Sequence, residues 1–226
     1  MVSVTRNAQP SRADRRASLE RRLLTATERL MQDEGLAFTE LSVDRLATEA
    51  GISRATFYVY FEDKGHLLRL LARQVMDDVS GAARQWWQIA DRRNPDDLRA
   101  AIRSIVQTYR RHSALMAAVV ETASYDPAVA AEFDALIGEI RDSTREVIQS
   151  GQKSRAVRTL PTNQVASALT WMVERVCHQM VRSAPADDDE SVIEALTQII
   201  WNTLYLEPAA AIASHELSES RQKKGR

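Results

Sequence analysis

Apolar residues recur along this chain at intervals of three and four, the period of one face of a helix. Leu19, Leu23, Ala26 and Leu30 form the first stripe, in a helix expected over 18–34 with Gly35 just past its end. Ser42 is placed to cap a short helix that turns Val43, Leu46, Ala47 and Ala50 inward and stops at Gly51. Asp63 opens a long helix with Leu67, Leu71, Val75 and Val79 in line, and Asn94-Pro95 opens another carrying Leu98, Ile102, Val106 and Tyr109. A shorter apolar segment runs from Ala114 to Ala123. After Asp126-Pro127, the positions Val129, Phe133, Ile137, Ile140, Thr144 and Ile148 predict a long helix that Gly151 should stop. Pro161 starts a helix with Val165, Leu169, Met172, Val176 and Met180. The acidic run 186–190 leads into the last one, with Ile193, Leu196, Ile200 and Leu204. With only seven glycines and six prolines to interrupt these patterns, the fold class predicted is all-α.

One stretch resists that reading. Thr56-Phe57-Tyr58-Val59-Tyr60-Phe61 is aromatic and β-branched, the composition of a strand. Its flanks say otherwise: Gly51 supplies a left-handed turn after a short helix, Ile52 plugs the angle, and Ser53 is a cap. As a helix the segment sorts its rings. Phe57 and Phe61 share a face that packs inward, Arg54 and Tyr58 share another with small Ala55 beside them, and Thr56 pairs with Tyr60. Three helices in the first 61 residues, the last two short and joined by Ala-Gly-Ile-Ser, match a helix-turn-helix. The outward arginine and hydroxyls suit a DNA groove, so the expected DNA-contacting set is Ser42, Ser53, Arg54, Ala55, Thr56, Tyr58, Tyr60 and Lys64. For Tyr60, half-burial against the next helix is the competing role.

The segment "LSVDRLATEAGISRATFYVYFEDKGHLLRLL" resembles the DNA-binding part of the TetR family of transcriptional repressors. That family pairs an Ala-Gly-x-Ser turn with a Thr-aromatic-Tyr-x-x-Phe helix, then Lys and Leu. The matching positions here are Ala50, Gly51, Ser53, Thr56, Phe57, Tyr58, Phe61, Lys64 and Leu67, and the likeness covers roughly Leu19 to Leu71. It departs at Tyr60, where many members carry histidine. Further on, "RTLPTNQVASALTWMVERV" and "IIWNTLYLEP" are similar to the regulatory half of the ethionamide-resistance repressor group within that family. The resemblance implies a homodimer formed by the last two helices, a double-stranded DNA operator, and a small-molecule effector bound in the larger half.

Composition narrows the field further. The net charge is −1, so overall charge does not itself call for nucleic acid, but Arg6, Arg12, Arg15, Arg16, Arg21 and Arg22 concentrate positive charge near the start. Residues 1–17 are expected as a disordered basic arm, 18–64 as the DNA-binding head, 65–207 as the regulatory and dimerisation domain, and 208–226 as a disordered tail. Cys177 is the sole cysteine; it excludes an internal disulfide and suits a reducing, cytoplasmic setting. No apolar run approaches the ~18 residues of a membrane span. His66, His112, His178 and His215 lack metal-ligand spacing, and neither a phosphate-binding glycine loop nor a nucleophile elbow is present. A cofactor or metal is therefore not expected, and an enzyme on a helical bundle is the least favoured function.

The larger half carries wide side chains on several helices. Trp86, Trp87, Tyr109, Met116, Phe133, Trp171 and Trp201 are each ordinary core material singly, and as a set they are candidates to line an apolar effector pocket. Thr170, Glu174 and His178, spaced by four, could supply polar anchors, with Thr170 and Glu174 in the expected set; a solvated or dimer-facing edge is the alternative. The last two helices are apolar on more than one side, as a four-helix dimer interface would require. A DNA-binding protein with no effector is the runner-up, distinguished by a pocket filled with its own aromatics.

Overall fold

The computed structural model describes residues 11–90, 93–182 and 185–205. The helices are α1 (Arg12–Asp33), α2 (Val43–Glu49), α3 (Arg54–Tyr60), α4 (Lys64–Ile89), α5 (Pro95–Arg111), α6 (Ser113–Ala123), α7 (Pro127–Lys153), α8 (Thr162–Val176) and α9 (Asp189–Leu204). A short 3-10 turn, Phe38–Glu40, precedes α2, and a π-helical turn, Cys177–Val181, extends α8. Among the described residues there is no strand, only an isolated antiparallel bridge between Val157 and Tyr205. The all-α fold expected from the apolar spacing is what the chain adopts.

The capping residues explain most boundaries. Ser42 Oγ accepts from the Arg45 N–H at 3.1 Å, Asp63 from His66 at 2.6 Å, Asn94 from Asp96 at 3.0 Å and Asp126 from Ala128 at 2.9 Å. α1 departs from expectation at its start. It begins at Arg12, inside the segment expected to be a disordered arm, because Ser11 and Asp14 form a reciprocal capping box that satisfies two terminal groups. The first turns of α1 are exposed all round, so apolar spacing could not reveal them. The earlier part of the arm, residues 1–10, and the tail expected over 208–226 lie outside the described residues.

The chain divides into two units. The first comprises the described residues through Ser80 together with Thr108–Gly138. In it, α1 packs against α2 and α6, and α2 against α3. Its core includes Leu23, Leu46, Phe57, Phe61, Leu71 and Leu115, all essentially inaccessible to solvent. Polar contacts add to this packing. His112, buried just before α6, sets Nδ1 against the Glu28 carboxylate of α1, with Asp78 of α4 3.7 Å from Nε2; Gln32 of α1 donates to the Arg111 carbonyl at 3.0 Å. The three N-terminal helices thus share a unit with α6, beyond the expected boundary at residue 64.

The second unit comprises Gly81–Gln107 and the described residues from Glu139 onward, with α8 packed on α9. Leu98, Ile148, Val157, Ile193 and Leu204 are in its core, and Tyr205 donates its hydroxyl to the Ala90 carbonyl at 3.0 Å. Gly151 does not end α7, as its residue type suggested. The helix runs on to Lys153, and the left-handed turn falls at Arg155, with φ of 60°. Gly151 serves close approach instead: its carbonyl accepts from both Ala156 and Val157, at 2.8 and 3.0 Å, and a Cβ there would lie 3.1 Å from Val157 Cβ and nearer still to Cγ2. Val157 is stiff at χ1 and cannot swing away.

Two glycine substitutions should therefore have opposite signs. Gly81, within α4, has open space around its Cβ position, so Gly81→Ala should stabilise by about 0.5–1 kcal/mol through helix propensity alone. Gly151→Ala should destabilise by about 1–3 kcal/mol through overpacking, and adding Val157→Ala, which removes Cγ2 but keeps Cβ, should recover part of that loss. Urea unfolding of the three variants measures both effects.

Candidate nucleic-acid interface

α3 is only seven residues long, and its placement comes from its neighbours. Ser53 Oγ caps it, accepting from the Thr56 N–H at 3.0 Å and bonding the Thr56 hydroxyl at 2.8 Å. Phe57 and Phe61 are fully buried, with ring centroids 5.1 Å apart, so one side of the helix is fastened into the first unit. The turn before it depends on Gly51, whose φ is +66°. Arg22 of α1 donates from Nη2 to the carbonyls of Ala50 and Gly51, and a Cβ on Gly51 would stand 2.9 Å from that nitrogen. A side chain at 51 would thus be opposed by both backbone and packing.

With that side fastened, the opposite side faces out. Arg54 and Ala55 are exposed, Tyr58 is 47% exposed, and Thr56 is half-buried. Tyr60 is half-buried beside Phe61, at 6.4 Å between centroids, the alternative role the sequence left open. Arg54 lies 5.5 Å from the Tyr58 ring centre and pairs with Asp44 of α2 at 2.6 Å. Both partners are exposed, so solvent screens this pair and DNA phosphate could compete for the guanidinium. Ser42 and Ser53 are exposed at the starts of α2 and α3, where helix N-termini offer N–H groups to a phosphate.

Two positions differ from what spacing implied. Lys64 donates all three ammonium hydrogens inside the first unit, to the carbonyls of Phe38 at 3.2 Å, Thr39 at 3.0 Å and Leu41 at 2.7 Å. Its ammonium also lies 5.4 Å from the centre of the Phe38 ring, and burial draws its pKa below the ordinary lysine value. This lysine ties the 3-10 turn to the start of α4; a phosphate would have to displace one of these carbonyls. Val59, absent from the expected set, is 76% exposed, four residues after Ala55 on the outward side. The same helical spacing marks it, and an exposed valine can meet a thymine methyl in the major groove.

The basic start of α1 is divided in the same way. Arg22 is committed to the turn, Arg16 pairs with Glu20 at 2.9 Å, and Arg29 pairs with Glu49. Arg12, Arg15 and Arg21 are exposed and have no ion pair among the described residues.

The expected effector-pocket residues fall in both units. Tyr109, Met116 and Phe133 are buried in the first. Thr170 and Glu174 are buried in the second, where Trp87 is half-buried and Trp201 stacks on Tyr205 at 4.3 Å between centroids. The Trp86 side chain lies outside the described set. Trp171 does not join Thr170 and Glu174: it is 41% exposed, turned by the helical rotation away from the buried side of α8. Among the described residues no three metal-binding side chains gather, and no helix is long and apolar enough to cross a membrane.

Comparison with known proteins agrees with this geometry. Residues 23–71 match the family described as "Bacterial regulatory proteins, tetR family", and residues 98–206 match "Transcriptional regulator EthR, C-terminal domain". The HTH-type transcriptional regulator EthR of Mycobacterium tuberculosis is 31% identical over 203 residues, covering 88% of this chain and 91% of the relative. The regulator of the same name from Mycolicibacterium smegmatis is 30% identical over 206 residues, covering 88% of this chain and 90% of its own. Among solved structures, a TetR-family regulator from Rhodococcus sp. superposes with a TM-score of 0.68 at 18% identity, over 83% of this chain and 99% of the other. The fatty acid degradation regulator FadR from Bacillus halodurans does so with a TM-score of 0.66 at 14% identity, over 81% and 94%. The matched families are regulators rather than enzymes. With a capped, outward-facing α3 at the position where the family places its recognition helix, and with likeness to EthR along nearly the whole chain, this protein belongs to the TetR family of helix-turn-helix transcriptional regulators.

Proposed function

We propose that the chain is an effector-responsive repressor that binds a palindromic operator as a homodimer in the cytoplasm. The observation that carries the reading is the outward side of α3, where Arg54, Ala55, Tyr58 and Val59 stand exposed on a helix locked by Phe57 and Phe61. Arg54 is the residue for a guanine edge or a phosphate, Tyr58 for a phosphate, and Val59 for a thymine methyl. Arg12, Arg15 and Arg21 add sequence-independent, salt-sensitive attraction. Lys64 takes a positioning role in place of a phosphate contact, since it holds the 3-10 turn.

Large apolar side chains exposed on the last helices support dimer formation. Trp171 on α8, Met180 on the π turn and Ile199 on α9 are 41%, 52% and 48% exposed. A two-fold dimer through these helices would set two copies of α3 about 34–36 Å apart, one turn of the major groove. The effector is a small, largely apolar molecule. It releases DNA only if it binds the DNA-incompetent arrangement more tightly; a 100-fold preference amounts to about 2.7 kcal/mol, within the usual range of allosteric coupling. α4, continuous in the chain from the DNA-binding head onward, is the route by which that preference changes the head spacing.

DNA selected from a random pool supplies the operator for the test. Replacing Arg54 and Tyr58 together by Ala should cost about 1–3 kcal/mol for each base or phosphate contact removed, so a drop in affinity of roughly thirtyfold or more is expected. Arg15→Ala should lower the slope of log affinity against log salt by about 1, whereas Lys64→Gln should leave the slope unchanged and lower thermal stability instead. A footprint unaffected by the double substitution would contradict the assignment. The dimer is tested by Trp171→Asp with Ile199→Asp, which should shift the sedimenting species from dimer to monomer and weaken operator binding with it.

A further inference from the structure

α8 has a buried side that is polar at two neighbouring positions. Thr170 and Glu174, four residues apart, are 7% and 8% exposed, and the same side carries Ala166, Cys177 and Val181, all buried. Neither carboxylate oxygen of Glu174 has a hydrogen-bond partner among the described residues, and neither has the Thr170 hydroxyl. The Arg175 guanidinium stands 3.6 Å from Oε2, beyond hydrogen-bond reach, and its own side chain is half exposed.

The rest of the molecule handles such groups differently. Buried helical threonines Thr27 and Thr197 return their hydroxyls to the carbonyl one turn back, each at 2.7 Å, and Thr170 does not. In the same unit Glu190 is held by Arg103 at 2.7 Å and Glu194 faces Arg99 at 3.3 Å. Glu174 is the buried exception. Burial pushes its carboxyl above the usual range against the opposing pull of the Arg175 charge, and burial, followed by the Glu174 charge, pushes the neighbouring Cys177 thiol up to about 12. The pair presents three acceptor oxygens and a single donor, the threonine hydroxyl, so what is missing is a group rich in donors. The π turn that begins at Cys177 is a second irregularity immediately beside it, of the kind that recurs at binding sites.

We propose that Glu174 and Thr170 form the polar end of an effector site in the second unit, one that takes a molecule with an apolar body and a protonated amine. This rests on the effector-responsive reading above and narrows it: the ammonium supplies donors and positive charge to the carboxylate, and the alkyl portion lies against the apolar residues of the same side. A neutral alcohol of equal length offers one donor and no charge.

The test compares n-octylammonium with 1-octanol on the full chain, by calorimetry and by release of selected operator DNA, in the natural protein and in Glu174→Gln. Octylammonium should bind the natural protein about tenfold or more tightly than octanol, and Glu174→Gln should erase that preference while octanol binds both proteins alike. Thr170→Val should reduce the preference in part. Equal binding of the two probes to the natural protein, a preference that survives Glu174→Gln, or no binding of octylammonium would each overturn the proposal. If octanol nonetheless releases operator DNA, the effector-responsive reading stands without the ammonium site. If octylammonium binds through Glu174 and DNA is not released, the site stands and that reading fails.

Discussion

A helix of two turns has too few internal hydrogen bonds to hold its own shape in water. Everything this protein does with DNA depends on how α3 is held from outside. Phe57 and Phe61 bury one side completely. Ser53 satisfies the first turn, Arg22 grips the carbonyls of the turn before it, and Lys64 grips those of Phe38, Thr39 and Leu41. A buried aromatic side chain contributes roughly 1.5–3 kcal/mol, whereas an exposed pair such as Arg54 with Asp44 contributes about 1 kcal/mol or less. The fastened side therefore decides where the helix lies, and the outward side is left free for recognition.

The same division runs through the cations of the head. Lys64, expected among the DNA contacts, and Arg22, one of the basic residues near the start, are each used on backbone carbonyls, where a cation adds a partner to acceptors that the local fold leaves wholly or partly unsatisfied. Arg12, Arg15 and Arg21 are the ones left in solvent. Positive charge near a helix-turn-helix is thus partly structural. Its contribution to DNA affinity cannot be read by counting residues.

What the sequence disclosed follows from which signals are local. The period of apolar residues and the caps at Ser42, Ser53, Asp63, Asn94 and Asp126 are set within a few positions, and the corresponding helices appear where they point. Strand propensity in Thr56–Phe61 yields to the caps and to burial of the two phenylalanines, an override of weak local preference by tertiary packing. The start of α1 was hidden because its exposed first turns have no apolar stripe, and Gly151 misled because its role depends on Val157, which meets it only after the turn. On α3, the outward exposure of Arg54, Ala55 and Tyr58 was legible from helical spacing. The role of Lys64 depends on where a distant loop puts its carbonyls, which no local pattern encodes.

The central claim is that one side of α3 meets the bases while the other never leaves the core. Photocrosslinking from single positions on that helix tests it most directly, using full-length protein on DNA that it selects. A photoreactive residue in place of Val59 should crosslink to bases within the selected site, and one at the exposed Lys153, at the far end of the 27-residue α7, should not. Crosslinks from position 153 with none from 59 would contradict the account.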